Sequence, residues 1–417
     1  MHLSHNNDQP DWADLLAKDW LDTIRGIYKE KTPPKDGFST EIVKKTGKEL
    51  STAVDKGYIF KGVDYDTPDY IAREVLKQNV WKFSVAKNYN DCIRLNNLLL
   101  RPDGSIRPWH EFKREAMMIV GMSNRYLKTE YDTIVAGAMM SRKWQEIQRD
   151  KHIFPFVKFV VTMDDHTSEI CTPLSGVIVS VDDPFLQQYF PPNHFNCRTD
   201  VIKLRNAEPT PQRLLPYIDI PKAFLNNVGA TGEIFTEENR YIANTPEEVL
   251  EKGIDFMYLE RYSNVEFKKV YLGKGMLHLF TNGSQTKQEF SKNKNALSVL
   301  VEKGKNYKML PIIDDGATNP DAFNYEKLVF SDIKVAITDN GKNALQNGLK
   351  EASKQGAAEL ILHLTVPPKS YIEMYKALRL SLIEQRNKNV KYITIIFPNK
   401  QVKEYDLLSI KKKLKLK

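Results

Sequence analysis

From residue 11 to about 150, apolar positions recur at spacings of three and four, the period of helices with one buried face. "DWADLLAKDWLDTIRGIY" shows it first, with Asp11 placed to cap the helix. "TPDYIAREVLKQNVWKFSVAKNYNDCIRLNNLLL" predicts one or two further helices after a Thr-Pro start. "RPDGSIRPW" at 101–109 is a turn cluster, and the stretch from Trp109 to Arg149 predicts a long helix pair. Met117, Met118, Met139 and Met140 in that stretch are expected to pack in a core rather than hold a cofactor.

Near residue 154 the period shortens. "FPFVKFVVTMDD" has the β-branched and aromatic content of a strand, and short strands and turns follow to about 204. Residues 206–246 mix proline, glycine and polar residues and predict an extended linker. Beyond 247 a docking helix is followed by a hairpin in "NVEFKKVYLGKGMLHLF" and then by helices alternating with strands, the pattern of a mixed α/β sheet. The expected chain is therefore multidomain: a helical region at 1–150, a small α+β module at 151–205, a linker at 206–246 and an α/β domain at 247–417.

At 417 residues the chain exceeds what one core organises. A 41% hydrophobic and 27% charged composition is that of a soluble globular protein, and no run approaches the roughly 20 apolar residues of a membrane span. The N-terminus lacks the basic-then-apolar order of a signal peptide, so retention in a cytoplasm is expected. Cys92, Cys171 and Cys197 are too few and scattered for a disulfide framework. The net charge of +8 leans toward a polyanionic partner, partly through the tail "KKKLKLK" at 411–417.

Candidate chemistry enters at two places. In residues 164–200, His194 and Cys197 stand in H-x-x-C spacing, which lets both side chains meet one ion after a turn. Cys171, with His166 or an acid at 164 or 165, would complete a zinc set. The competing readings are thiols packed as small apolar groups with His194 bonded to turn backbone, and a cysteine nucleophile. An aspartate-rich turn, a cysteine, "LSG" and "PPNHFNCR" together resemble the closing module of Mu F-like phage head morphogenesis proteins, over roughly residues 60–205. Thr199 stands where that family usually carries a further cysteine. The resemblance implies a minor head protein in the virion, with portal, capsid and scaffold proteins as partners. "PPNHFNCR" itself reads as a rigid turn presenting His194 and Arg198, suited to a structural clamp.

The second place is "NPDAFNYEKLVFSDIK" at 319–334. Strand residues two apart face one side, so Asp332 and Lys334 point together, and a return through "AFNYEKLVF" brings Asp321 beside them. Two carboxylates and an amine so placed suit a divalent cation and a phosphate, with Glu289 of the preceding helix as a further acid. An ordinary polar hairpin is the competing reading. The order of pieces, including Lys354 and Gln355 at the end of a helix, resembles PD-(D/E)XK nucleases. More narrowly it is similar to the toxin C-termini of contact-dependent inhibition systems, over about residues 265–400. That resemblance implies Mg²⁺ or another divalent cation on Asp321 and Asp332, Lys334 near the attacking water, and Gln355 lining the site. It also implies RNA, tRNA in particular, as substrate, and a cognate immunity protein as a further partner. Lys342, Lys350, Lys354 and the C-terminal run would attract the nucleic acid. Two alternatives stay open: a metal-independent ribonuclease of the barnase and colicin group using His278 and His363, and a non-catalytic capsid-docking module. The expected locations are the virion and the host cytoplasm.

Overall fold

The computed structural model describes residues 11–58, 68–314, 318–383, 387 and 389–413. The chain divides into two compact units, 1–260 and 261–417.

Four helices build the larger part of the first unit: α1 (Trp12–Glu30), α2 (Thr40–Tyr58), α3 (Pro68–Asn97) and α4 (Trp109–Asp150). Helix α1 starts where the Asp11 carboxylate accepts the Ala13 N–H at 2.9 Å, and it ends at Lys31 in the left-handed region. Its stripe of Leu16, Trp20, Ile24 and Ile27 is buried against Leu50, Val80, Phe112 and Ile134 of the other three. Helix α4 runs unbroken for 42 residues where a helix pair was expected. Two glycines lie within it, and neither interrupts the hydrogen-bond ladder; Gly137 makes room for the Ile234 side chain, which would lie 3.0 Å from an added Cβ. The methionines divide. Met140 is buried and Met139 packs against the core, but Met117 and Met118 are 42% and 57% exposed, contrary to the expectation that all four pack.

Helix α2 comes so close to α4 that a Cβ on Gly57 would lie 2.5 Å from the Val135 carbonyl oxygen. Gly57→Ala is therefore expected to destabilise the unit by about 1–3 kcal/mol through overpacking, against a helix-propensity gain of at most about 1 kcal/mol. All five tryptophans, at 12, 20, 81, 109 and 144, lie in this unit, so a lowered fluorescence-detected urea midpoint checks it.

A three-stranded antiparallel sheet follows, in the order β2 (Ile178–Ser180), β1 (Phe156–Val160), β3 (Asp200–Leu204), with the short α5 (Phe185–Tyr189) between β2 and β3. Its core of Val157, Phe159, Val179, Phe190 and Val201 takes in Trp144 and Ile147 from the end of α4. Residues 206–246 are not a free linker. Ile218, Ile220 and Phe224 enter the core of the small sheet. Val228 on α6 (Val228–Thr231), Ile234, Phe235, and Tyr241 and Ile242 on α7 (Arg240–Ala243) enter the helical core. Helix α8 (Glu247–Glu260) also belongs to this unit, with Gly253 set against the Trp81 carbonyl, so the boundary falls at 260/261 and not at 246/247.

The second unit is an eight-stranded mixed sheet in the order β11-β10-β9-β8-β7-β6-β5-β4. The strands are β4 (Phe267–Leu272), β5 (Gly275–Phe280), β6 (Asn306–Met309), β7 (Ala322–Asn324), β8 (Val329–Ala336), β9 (Glu359–Leu364), β10 (Tyr392–Ile396) and β11 (Val402–Asp406). Pairing is parallel at β5/β6, β8/β9 and β9/β10 and antiparallel elsewhere. Helix α9 (Lys287–Glu302) covers one face through Leu297 and Leu300 against Leu277, Tyr307, Met309 and Ile361. Helices α10 (Gly341–Lys354) and α11 (Tyr371–Ile383) cover the other, over Leu360, Leu362, Leu364 and Ile393, and α12 (Leu407–Lys413) closes the described chain. The rest of the lysine-rich tail, 414–417, lies outside the described residues.

Strand β7 has three residues and pairs with only Val329–Ser331 of β8. The second half of β8 is thus bonded to β9 on one side and open on the other. That notch holds the candidate site.

Candidate active site and a thiol–imidazole cluster

Ala322 pairs with Ser331, so the next position in the register sets Asp321 opposite Asp332. The Asp321 side chain ends the ladder there. Its Oδ2 accepts the Ile333 N–H at 2.7 Å and its Oδ1 accepts the Asn293 amide of α9 at 2.7 Å. Asp332 is 8% exposed, and among the described residues no donor reaches its carboxylate. Burial, then the charges of Asp321 and Glu351, push its pKa up to about 7, with Lys292 and Lys334 opposing. Burial also raises the Asp321 pKa, against the Ile333 hydrogen bond and Lys292.

Lys334 points to the same side of β8 as Asp332, under α10. Gly348 on α10 allows the approach: an added Cβ would meet Leu360 at 3.1 Å and the Lys334 Cβ at 3.6 Å. Asp321, Asp332 and Lys334 line one open cleft of about 420 Å³ with Glu289, Lys292, Glu351 and Gln355. The Gln355 Oε1 accepts the Asn319 N–H at 3.1 Å, so this side chain holds the Asn319-Pro320 turn as well as lining the cleft.

Glu289 reaches the cleft but does not complete a tight carboxylate triad. Among the described residues, the one group of three His, Cys, Asp or Glu ligand atoms within 4.8 Å of one another lies elsewhere. Lys342, Lys350 and Lys354 are exposed on α10, and none borders the cleft. Lys342 starts the helix that Gln355 caps, about 20 Å away along its axis. Lys292 and Glu351 are the charged groups that sequence reasoning missed. Each occupies an ordinary polar helix position, and only the packing of α9 and α10 on opposite faces of the notch aims both inward.

The two histidines of the metal-independent alternative do not converge. The ladder pairs His278 with Lys308 and Lys308 with Phe323, the face of Phe330 and Asp332, whereas His363 pairs with Val335 on the opposite face. Four inter-strand spacings, about 19 Å, separate β5 from β9. Burial, with Lys308 and Lys269, lowers the His278 pKa to about 4, and burial lowers that of His363.

In the first unit, Cys171, His194 and Cys197 are the three ligand atoms that do meet. Cys171 Sγ lies 3.1 Å from His194 Nε2 and 3.6 Å from Cys197 Sγ. His194 Nδ1 donates to the Phe195 carbonyl at 2.7 Å, the turn-backbone contact expected of it. The pKa of Cys197 falls to about 4, through the Cys171 thiol and then His194, while that of Cys171 rises. His166 and the acids at 164 and 165 do not join this group. Asp164 instead forms a two-pronged ion pair with Arg198, which holds its carboxyl well below the usual range.

Among known proteins, the family described as Phage Mu protein F like protein matches residues 85–202, from the middle of α3 to β3. The putative capsid assembly protein F of Escherichia phage Mu is 28% identical over 137 residues, 30% of this chain and 31% of that protein. The match thus spans about a third of that relative's length. A solved CdiA-CT/CdiI toxin and immunity complex from Burkholderia pseudomallei aligns with 31% of this chain and 93% of its own, at 14% identity and a TM-score of 0.24. Helix α4, strands β1 and β2, the start of β3 and the thiol–imidazole cluster all fall inside the matched segment, so it is over residues 85–202 that the chain is similar to the Mu F-like head morphogenesis proteins.

Proposed function

We propose that the protein is a phage minor head component whose second unit is a divalent-cation-dependent nuclease of the PD-(D/E)XK kind, acting on RNA and on tRNA in particular. Portal, capsid and scaffold proteins are its assembly partners, and the virion and the host cytoplasm are its locations. A cognate immunity protein would cover the cleft. The head role rests on the Mu F-like segment. Its contact surface includes the exposed stripe Met118, Met122 and Tyr126 on α4, where flexible apolar side chains suit an interface.

One observation carries the enzymatic reading: Asp321, Asp332 and Lys334 line a single cleft at the open edge of β8. The donor set fits a hard cation. Both acids present oxygen ligands, and the buried Asp332 carboxylate has no donor among the described residues. Asp321 and Asp332 would hold the ion, which when bound stabilises negative charge building on a phosphate oxygen. Lys334 orients the attacking water and offsets charge on the phosphate. Lys292 adds positive charge from α9, and Gln355 keeps the Asn319-Pro320 turn beside Asp321.

Full-length protein incubated with tRNA and Mg²⁺ is expected to cleave it. Lys334→Ala and Asp332→Asn should each slow cleavage by at least about 100-fold, the scale of removing one transition-state stabiliser. Equal cleavage by all three proteins refutes the site. Cleavage that survives EDTA refutes the cation requirement, and an inert wild type leaves the docking module.

A further inference from the structure

We propose that Cys171, His194 and Cys197 form a separate metal site in the first unit that takes Zn²⁺ or another cation of its soft class. Three observations converge. First, the separations match a shared ion. With metal–sulfur distances of about 2.3 Å and metal–nitrogen distances of about 2.0–2.1 Å, tetrahedral angles put two thiolates about 3.8 Å apart and a thiolate and an imidazole about 3.5 Å apart. The observed values are 3.6 Å and 3.1 Å. A disulfide would need about 2.05 Å, and both cysteines are free.

Second, the imidazole is oriented as a ligand. Nδ1 donates to the Phe195 carbonyl, so the lone pair of Nε2 faces the Cys171 sulfur. A backbone carbonyl on the far nitrogen is a common way to fix the tautomer of a metal-bound histidine.

Third, the backbone brings the thiols together from two loops. Cys171 precedes a short 3₁₀ turn at Thr172–Leu174. His194 and Cys197 close a turn in which the Cys197 N–H donates to the His194 carbonyl at 3.3 Å and Asn196 takes a φ of 59°. The Asp164–Arg198 ion pair ties the same two loops. The sheet they close has strands of three and five residues, so an ion bridging the loops would add a cross-link that its short ladders do not supply.

Among the described residues no fourth His, Cys, Asp or Glu joins, which leaves the fourth position to water. Thr199 borders the small cavity there with Cys171 and His194, and among the described residues its buried hydroxyl has no hydrogen-bond partner.

Full-length protein, purified reduced and metal-free, is incubated with Zn²⁺ and then freed of unbound ion. The expected result is one Zn²⁺ per chain and a higher thermal midpoint by tryptophan fluorescence. Co²⁺ should give the absorption of a thiolate-bound tetrahedral ion. Cys197→Ser and His194→Gln should each cut the bound Zn²⁺ that survives excess Mg²⁺ to below about one tenth. Thr199→Cys should tighten binding at least about 10-fold, the low end of what ligand-environment changes do. A wild type that binds no Zn²⁺, or a ratio that survives both Cys197→Ser and His194→Gln, overturns the site. Should those two variants fail to fold, Thr199→Cys decides, and unchanged affinity there overturns it.

Discussion

Glu359→Ala should lower the stability of the second unit by about 3–5 kcal/mol, the scale of stripping one partner from a buried ion pair. Glu359 opens β9 and is wholly buried. Its Oε1 accepts from Lys327 Nζ at 2.5 Å and Thr394 Oγ1 at 2.7 Å. Its Oε2 accepts from Ser331 Oγ at 2.7 Å, Asn324 Nδ2 at 2.9 Å and the Tyr307 hydroxyl at 3.3 Å. One carboxylate thus collects donors from β6, β7, β8, β10 and the hairpin tip, and its removal leaves them facing one another in an apolar layer. Glu359→Gln keeps the volume and one acceptor and should cost about 1.5–3 kcal/mol, the worth of a hydrogen bond to a charged group. No tryptophan lies beyond residue 144, which makes the result easy to locate. The unfolding transition seen by far-UV circular dichroism should move while the fluorescence transition stays in place. A shared shift, or a Glu359→Ala cost below about 1 kcal/mol, would show that the network is not what holds these strands.

How much of this was readable beforehand depends on whether the signal was local. "FSDIK" was: period two puts Asp332 and Lys334 on one side of any strand, and "AFNYEKLVF" is a hairpin by its own content. The structure adds what the hairpin alone does not contain, that β7 stops after three residues and leaves β8 open. Lys292 and Glu351 were not readable, because a charged residue on an amphipathic helix says nothing about which sheet edge it will overhang. Residues 206–246 misled for a related reason. Their prolines, glycines and asparagines look like a linker, and the apolar residues among them follow no period because irregular chain has none. Yet Ile220, Phe224, Ile234 and Phe235 are each under 10% exposed. His194 and Cys197 were readable as a pair from their spacing. Cys171 was readable as their companion, but that His166 and the acids at 164 and 165 stay out of the group was not: Asp164 is instead taken up by its ion pair with Arg198, which no spacing rule reveals.

Asp332→Asn should stabilise the second unit at alkaline pH and do little in acid, and this ties the candidate site to a measurable cost. Burial, then Asp321 and Glu351, raise the Asp332 pKa from 3.8 to about 7 in the folded protein. Below pH 3.8 the side chain is protonated whether the chain is folded or not. Between about pH 4 and 7 the unfolded chain loses this proton and the folded one keeps it, so stability falls as pH rises, and above about pH 7 the loss is complete. About three pKa units at 1.36 kcal/mol each set an upper bound of about 4 kcal/mol. Asparagine has no proton to lose. In EDTA, the variant should therefore exceed the wild type by about 2–4 kcal/mol at pH 8 and by no more than about 1 kcal/mol at pH 4.5, read from the transition that tryptophan fluorescence does not follow. A gap of the same size at both pH values would mean that the asparagine acts by packing and that the carboxylate stores no charge strain. Mg²⁺ supplies the final discrimination. A cation bound by Asp321 and Asp332 favours the ionised form, so millimolar Mg²⁺ at pH 8 should raise the wild-type transition and leave Asp332→Asn where it was. If the acids were merely a polar hairpin, Mg²⁺ would move neither. The same buried charge that weakens the metal-free fold is thus the feature that would let the cleft hold a cation firmly.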